Sequence, residues 1–326
     1  MKIAVIGGAG YIGSHTVREL LDRGHEICVF DNLSSGLKQN LFKEASFVQG
    51  DILNPSALDK FFGDFQPEGV VHLAAFKAAG ESMINPEKYS VNNITGSINI
   101  LNAAAKAKVH YFVFSSSAAV YGAPHYSPVD EKHPKDPENY YGYTKLAIEG
   151  FLHWYDKLRG IKFAALRYFN AAGYDVKGRI CGLERNPANL IPVVMEAALG
   201  KRKEVLVFGN DYDTPDGTGV RDYIHVNDLA RGHGMAFEKL RKDNKSFIVN
   251  LGVQQGSSVL DVIKMTEKVS GRKVPYRIVE RRPGDPASLI ADPSLAKASM
   301  GWVAQDSSLE TILSTTWKAY LANEKK

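Results

Sequence analysis

The chain has 326 residues, 44% of them hydrophobic and 23% charged, which is the composition of a globular protein with one large domain or two unequal ones. A formal net charge of +4 and the lack of a long Lys/Arg run before Glu324-Lys325-Lys326 argue against nucleic acid as the main partner, although basic residues can still meet a smaller anion. Only Cys28 and Cys181 are present, no signal peptide precedes the first strand, and no apolar run is long enough to span a bilayer; the expectation is a cytoplasmic protein in a reducing compartment, without a disulfide framework or a membrane contact.

The first predicted element is a strand over residues 2–6, apolar and β-branched enough to be a buried parallel strand. It runs into Gly7-Gly8-Ala9-Gly10-Tyr11-Ile12-Gly13, and a helical pattern follows from Ser14 to Arg23, stopped by Gly24. Gly7, Gly10 and Gly13 give the spacing G-x-x-G-x-x-G. Glycines so placed permit a tight turn, close approach of the backbone to a pyrophosphate, and close helix–strand packing, with phosphate at the helix N-terminus. Such turns also end plain strands, but a position between a strand and a helix favours a dinucleotide. The next strand, 26–30, delivers Asp31-Asn32. An acid about 18 residues after the last glycine is placed to bind the adenosine ribose hydroxyls and would repel a 2′-phosphate, so NAD is favoured over NADP.

A strand over 46–49 leads to Asp51-Ile52, expected beside the adenine. A helix over 55–63 and a strand over 69–73 then lead to Ala74-Ala75-Phe76-Lys77. Strands alternating with helices predict an α/β fold, a Rossmann-type doubly wound parallel sheet with ligand at the C-terminal ends of its strands. His72, on one of these strands, reads as a satisfied core histidine. A helix over 86–107 carries Asn92 and Asn93, and a strand over 111–114 ends at Ser115-Ser116-Ser117. Ser115 and Ser116 read as turn chemistry. Ser117 reads as functional, because Tyr141 and Lys145 open the following helix.

Tyr141 and Lys145 are four residues apart and so share a helix face. A free phenol has a pKa near 10; bringing it near neutrality takes about three units, or roughly 4 kcal/mol of differential stabilisation. An ammonium nearby favours the phenolate, and Lys145 together with an oxidised nicotinamide could supply that. Tyr and Lys at this spacing are common on surface helices, so the pair acquires meaning only from Ser117 and the glycine loop.

A strand over 163–166 ends in Arg167-Tyr168-Phe169-Asn170, and beyond it the pattern breaks into loops, short helices and strands. The expectation is residues 1–170 as a dinucleotide-binding domain to which later segments, about 221–250, return, and residues 171–326 as mainly a smaller, mixed substrate-binding domain. A helix over 189–200 and a strand over 205–208 precede Arg221-Asp222-Tyr223 and Arg281-Arg282-Pro283-Gly284-Asp285. Trp302, Trp317 and Tyr320 read as packing aromatics, and no His/Cys/Asp/Glu cluster has metal-ligand spacing, so no metal is expected.

Taken together, GGAGYIG (7–13), DNL (31–33), SSSAAVYG (115–122), YGYTK (141–145), LRYFNAAG (166–173) and GVRDYIHVNDLA (219–230) resemble the extended short-chain dehydrogenase/reductase family. Within it they are most similar to the UDP-glucose (UDP-galactose) 4-epimerase members. The likeness runs essentially end to end, and its later motifs are far more specific than the glycine pattern.

The resemblance implies NAD held by Gly7, Gly10, Tyr11, Ile12 and Gly13, by Asp31, Asn32, Asp51 and Ile52 around the adenosine, by Ala74, Lys77 and Asn92, and by Tyr141, Lys145 and Tyr168 toward the nicotinamide. It implies a UDP-sugar held by Asn170 at the sugar–diphosphate, Asn189 and Leu190 at the nucleotide, Val207 and Phe208 at the uracil, Arg221 and Arg282 at the diphosphate, and Asp285 at the uridine ribose. Guanidinium forks suit phosphate oxygens and a carboxylate suits vicinal hydroxyls; Arg281 has no such support. In the implied reaction Tyr141 takes the proton from the 4-hydroxyl while hydride passes to NAD, Ser117 bonds the same oxygen, and Lys145 lowers the Tyr141 pKa. The 4-ketose turns over about its diphosphate link and takes hydride back on its other face, giving reversible epimerisation of UDP-galactose and UDP-glucose. The resemblance also suggests a homodimer.

Other chemistries use the same fold. A 4,6-dehydratase needs an acid pair after the catalytic hydroxyl, where this chain has Ala118-Ala119, and a non-catalytic sensor would lack Ser117, Tyr141 or Lys145. Another NAD-dependent nucleotide-sugar epimerase or a reductase stays open at this point. Tyr140 stands where many members have proline, and Ser35-Gly36 differ from some members near the adenosine. Leu289 stands where a bulky tyrosine often crowds the sugar 2-substituent; leucine is intermediate, so UDP-N-acetylhexosamines are expected to be tolerated, and Leu289 joins Ser117 and Tyr141 among the substrate residues.

Overall fold

A computed structural model describes residues 1–184, 187, 189–282 and 284–324. Its first half is a β/α alternation: β1 (Lys2–Ile6), α1 (Tyr11–Asp22), β2 (Glu26–Asp31), β3 (Ser46–Gln49), α2 (Pro55–Phe65), β4 (Gly69–His72), α3 (Ala79–Ile84), α4 (Pro86–Tyr89), α5 (Gly96–Lys106), β5 (Tyr111–Ser117), α6 (Tyr140–Arg159) and β6 (Lys162–Tyr168). The second half continues with β7 (Asn170–Ala172), α7 (Leu190–Ala198), β8 (Val205–Phe208), β9 (Val220–His225), α8 (Val226–Asp243), β10 (Phe247–Leu251), β11 (Gly256–Ser258), α9 (Val259–Ser270), β12 (Tyr276–Val279), β13 (Ser288–Leu289), α10 (Ser294–Met300) and α11 (Leu309–Glu324).

The main sheet is wholly parallel, in the order β10-β6-β5-β4-β1-β2-β3. Both its faces are covered, which is why its strands read as continuous apolar runs. Ala4 and Ile6 of β1 pack with Phe61 of α2, Leu101 of α5 and Ile148 of α6 on one face; Ile3 and Val5 pack with Val17 of α1 and Phe237 of α8 on the other. Strand order reverses between β1 and β4, the place where an open α/β sheet leaves a crevice for ligand. The expected doubly wound Rossmann-type sheet is present.

The chain after β6 builds a second lobe around Ile191, Val194, Val207, Ile263 and Trp317. β9 is the hub of a small sheet with β7, β11 and β13, while β8 pairs with β12. α8 and β10 return to the main sheet, β10 pairing with β6.

Two local expectations change. The helix expected over 86–107 is α4, a π-helical turn at Ser90–Thr95, and α5. Widening the ladder there turns the buried Asn93 inward, where Oδ1 accepts from Phe76 N at 2.9 Å and Nδ2 donates to Phe76 O at 3.0 Å and to Thr144 Oγ1 at 3.3 Å. Ser115 and Ser116 are strand residues, because β5 and β6 stay paired out to Ser117 and Tyr168.

Candidate active site

The glycine loop sits at the mouth of the crevice. Gly7 has φ +86°, and a Cβ there would lie 2.7 Å from Ala74 N; a Cβ on Gly13 would lie 2.1 Å from Gly7 O. Only glycine lets the turn close on both the 74–77 segment and the start of α1. Gly10, the N-cap of α1, supplies no side-chain cap, so nothing from the cap competes with an anion for the first-turn N–H groups of Tyr11 and Ile12. Tyr11 turns its ring onto Tyr174 and donates its hydroxyl to Gly173 O, joining the loop to the second lobe.

Asp31 ends β2 with a buried carboxylate that accepts from Ala9 N at 3.0 Å and Leu33 N at 2.8 Å; burial raises its pKa against those two bonds. Asn32 donates to Asp51 Oδ2 at 2.9 Å, and the buried Ile52 packs under Gly96. A glycine cradle and a bare helix N-terminus after β1, with an acid at the end of the neighbouring β2, are the donor and acceptor set that a dinucleotide requires, so the residues present fit NAD. Asn92 donates to Asn93 Oδ1 at 3.0 Å, and Lys77 is ion-paired to Glu184.

Ser117, Tyr141 and Lys145 converge at the end of β5. Asn139 caps α6 by accepting from Gly142 N at 2.9 Å, which starts the helix at Tyr140 and sets Tyr141 in its first turn. Tyr140 occupies the first helical position, where proline is favoured because the N–H is not needed by the helix; its entry is intact, with Tyr140 N directed to Met83 Sδ at 3.4 Å. Lys145 is 2% exposed, donates from Nζ to Ser115 O at 2.7 Å, and lies 4.9 Å above the Phe114 ring. Burial presses its pKa down to about 7, with the Glu149 charge opposing that fall.

The expectation that Lys145 lowers the Tyr141 pKa is not met by the protein alone. Burial raises Tyr141, and only the hydrogen bond with Ser117 lowers it. The reason is geometric: the ammonium is committed to the Ser115 carbonyl and stands 5.8 Å from the phenol ring centroid. Tyr168 completes the pocket, its hydroxyl bonded to Ser115 Oγ, so Ser115 contributes both its carbonyl and its side chain. His72 is a buried core histidine bonded to Ser97 Oγ at 2.7 Å, with its pKa near 3 from burial.

The residues expected to hold substrate lie on the second lobe. Asn170 donates to Asp222 O at 3.0 Å. Asn189 is the exposed N-cap of α7 and Leu190 its first residue. Arg221 pairs with Asp285 at 2.7 Å, and the Arg282 guanidinium stacks 3.8 Å over Phe208. Arg281 pairs instead with Asp211 and Tyr212, at one wall of an outer cleft of about 640 Å³ that none of Ser117, Tyr141 or Lys145 lines. Val207 departs from expectation: its side chain is buried in the lobe's core, so its main chain is the part left for a base. Leu289 lies opposite Arg221 in register and packs onto the Ala118–Tyr121 turn that follows Ser117.

Sequence reasoning gave no functional role to Asn93, Ser115 or Asp222. The buried Asp222 carboxylate accepts from Val253 N, Gln254 N and Ala291 N, at 3.0 to 3.2 Å, and so ties three segments behind Arg221 and Leu289. A polar residue inside an apolar-flanked strand was the available signal. Among the described residues no group of three or more His, Cys, Asp or Glu could hold a metal ion, and no helix is long and apolar enough to cross a membrane.

Comparison with known proteins gives the same fold and its family. Residues 3–252 match the NAD dependent epimerase/dehydratase family. The UDP-glucose 4-epimerase of Bacillus subtilis is 47% identical over 335 aligned positions, covering 99% of this chain and 98% of that protein. A crystal structure of UDP-glucose 4-epimerase from Brucella ovis in complex with NAD superposes with TM-score 0.95 at 40% identity, covering 98% of each chain. The UDP-Glc/GlcNAc 4-epimerase of Campylobacter jejuni superposes with TM-score 0.87 at 38% identity, covering 98% of this chain and 99% of that one.

Proposed function

The chain belongs to the NAD dependent epimerase/dehydratase family, and from that premise we propose how its residues carry out UDP-hexose 4-epimerisation. The protein is an NAD-dependent enzyme that interconverts UDP-galactose and UDP-glucose at carbon 4 through a transient 4-keto sugar. The observation that carries the residue assignment is the convergence of Ser117, Tyr141 and Lys145 at the end of β5, beside a crevice built for a dinucleotide.

The chemistry that NAD supplies when bound is removal of a hydride from carbon 4 and its return. Tyr141 removes and returns the proton of the 4-hydroxyl, and Ser117 hydrogen-bonds the same oxygen. Lys145 is the buried ammonium that orders the pocket through the Ser115 carbonyl and orients the cofactor's ribose. Gly7, Gly10 and Gly13, with Asp31, Asn32 and Asp51, hold the dinucleotide; Ile52, Ala74, Lys77, Asn92 and Tyr168 close around it. On the second lobe Arg221 and Arg282 grip the diphosphate, Asp285 the uridine ribose, and Phe208 the base, with Asn170, Asn189, Leu190 and the Val207 main chain completing the site. In this reading the Arg221–Asp285 and Arg282–Phe208 contacts are the resting partners of groups that substrate engages. A nucleotide anchored this way leaves the ketose free to turn over.

In this assignment residues 1–170 with α8 and β10 form the NAD-binding unit, and the rest of 171–326 mainly binds substrate. The protein works in the cytoplasm as a homodimer; exposed Trp154 and Leu158 on α6, with Val91 on the adjoining π-helical turn, support a self-contact. Ala118-Ala119, in place of an acid pair, disfavour dehydration.

The test is purified protein incubated with UDP-galactose and no added cofactor. Conversion to UDP-glucose is expected, and Tyr141→Phe is expected to lower kcat by about a hundredfold or more. No conversion even with NAD supplied, or full activity in Tyr141→Phe, would overturn the assignment.

A further inference from the structure

Tyr141, Lys145 and Glu149 recur every fourth residue on α6 and share one face. The first two belong to the reaction; Glu149 has had no part in it. Its carboxylate is buried and fully engaged: Oε1 accepts from Ser116 Oγ at 2.6 Å and from Arg167 Nε at 2.9 Å, and Oε2 accepts from Arg167 Nη2 at 2.5 Å. Arg167 donates onward to the Tyr121 hydroxyl at 3.0 Å, and that hydroxyl to Asn250 Oδ1 at 2.6 Å. Ser116 and Arg167 face each other in the β5–β6 register, so one carboxylate clamps a helix to two neighbouring strands. Ser116 lies between Ser115, whose carbonyl receives Lys145, and Ser117, whose hydroxyl meets Tyr141. Stability does not explain the arrangement, since replacing a buried ion pair by apolar residues of similar volume is often neutral or stabilising.

Building on the epimerase reading, we propose that Glu149 is a positioning residue for that reaction: through Ser116 and Arg167 it holds the end of β5 against the catalytic face of α6. Ser115 O, Ser117, Tyr141 and Lys145 thereby keep one geometry. The carboxylate also acts on Lys145 along the helix. The other titratable or charged groups around that ammonium are Tyr141 on α6, His72 on β4, and Arg167 and Tyr168 on β6. His72 is kept neutral by burial, which leaves Glu149 as the group supporting the charge.

The experiment compares wild type, Ser116→Ala, Glu149→Gln and the double variant Glu149→Met/Arg167→Met, as isolated holoproteins, by Tm, steady-state kinetics and pH profile. Ser116→Ala keeps every charge; its kcat is expected to fall about tenfold with KM for UDP-galactose little changed, because the nucleotide is held on the other lobe. Glu149→Gln is expected to lose more and to move its pH profile about one unit higher, since loosening the Ser117 bond that lowers Tyr141 and weakening the Lys145 ammonium both disfavour the phenolate. The double variant is expected to keep its Tm yet not its kcat. Wild-type kcat in both Ser116→Ala and the folded double variant overturns the proposal. Should wild type itself fail to convert UDP-galactose, the epimerase reading fails separately. The Tyr141 titration, read as tyrosinate absorbance against Tyr141→Phe, still decides this one: a higher midpoint in Glu149→Gln supports it, and an unmoved or lower midpoint overturns it.

Discussion

At the scale of single residues, Leu289 carries the clearest statement about substrate range. It sits opposite Arg221 and against the turn that begins one residue after Ser117; in the proposed assignment its side chain therefore borders the space between the diphosphate and the reacting carbon. A tyrosine there would fill more of that space, and leucine leaves part of it open. The expected outcome is that the wild-type protein epimerises UDP-N-acetylgalactosamine as well as UDP-galactose. Leu289→Tyr should lower kcat/KM for the N-acetyl substrate by about tenfold to a hundredfold, leaving the plain sugar nearly untouched. Parallel assays of the two substrates decide it; turnover of the plain sugars alone by wild type would sink the idea.

At the scale of elements, the motifs that carry chemistry were legible because each combines a backbone requirement with a chemical one. Gly7 and Gly13 are needed where a Cβ has no room, and Tyr141 with Lys145 follows from helical spacing. What was not legible depends on contacts between distant segments. Nothing local announces that Ser90–Thr95 winds as a π-helical turn so that Asn93 can bridge Phe76 and Thr144, or that Val207 faces inward. Asp222 is the sharpest case: its side chain exists for residues 253, 254 and 291, which the sequence cannot bring to it. Because that knot backs the pairing of β9 with β11 and β13, it controls where Arg221 and Leu289 stand. Asp222→Asn places an amide donor among backbone donors and costs about 1–3 kcal/mol. Steady-state kinetics of the variant should show KM for UDP-galactose raised about tenfold with kcat nearly kept. A loss confined to kcat would argue instead that β9 positions the reacting groups.

At the scale of the whole molecule, the histidines set how the fold responds to acid. Burial presses His15, His225 and His233 down to about 4 and His72 to about 3, from an ordinary value of 6.5. They are spread over both units: His15 on α1, His72 on β4, His225 at the β9–α8 junction where it meets Thr315, and His233 within α8. Each stays neutral in the folded protein at a pH where the unfolded chain already binds the proton. Their contribution is therefore fully present above about pH 6.5 and is lost as pH falls toward 4. Asp222 works in the opposite direction, because burial lifts it to about 6 and the folded state then holds a proton that the unfolded chain has released. Four groups outweigh one: at pH 5 these five sites together should take up about three protons on unfolding. Denaturant unfolding of the holoprotein at a series of pH values should give a free energy that declines steeply between about pH 6.5 and 4, with a shallower rise above pH 7 where the buried Lys145, pressed to about 7, stays neutral while the unfolded chain holds its proton. A free energy that holds level through pH 5 would mean that these histidines find protonated partners inside the fold, and that their burial does not govern acid stability.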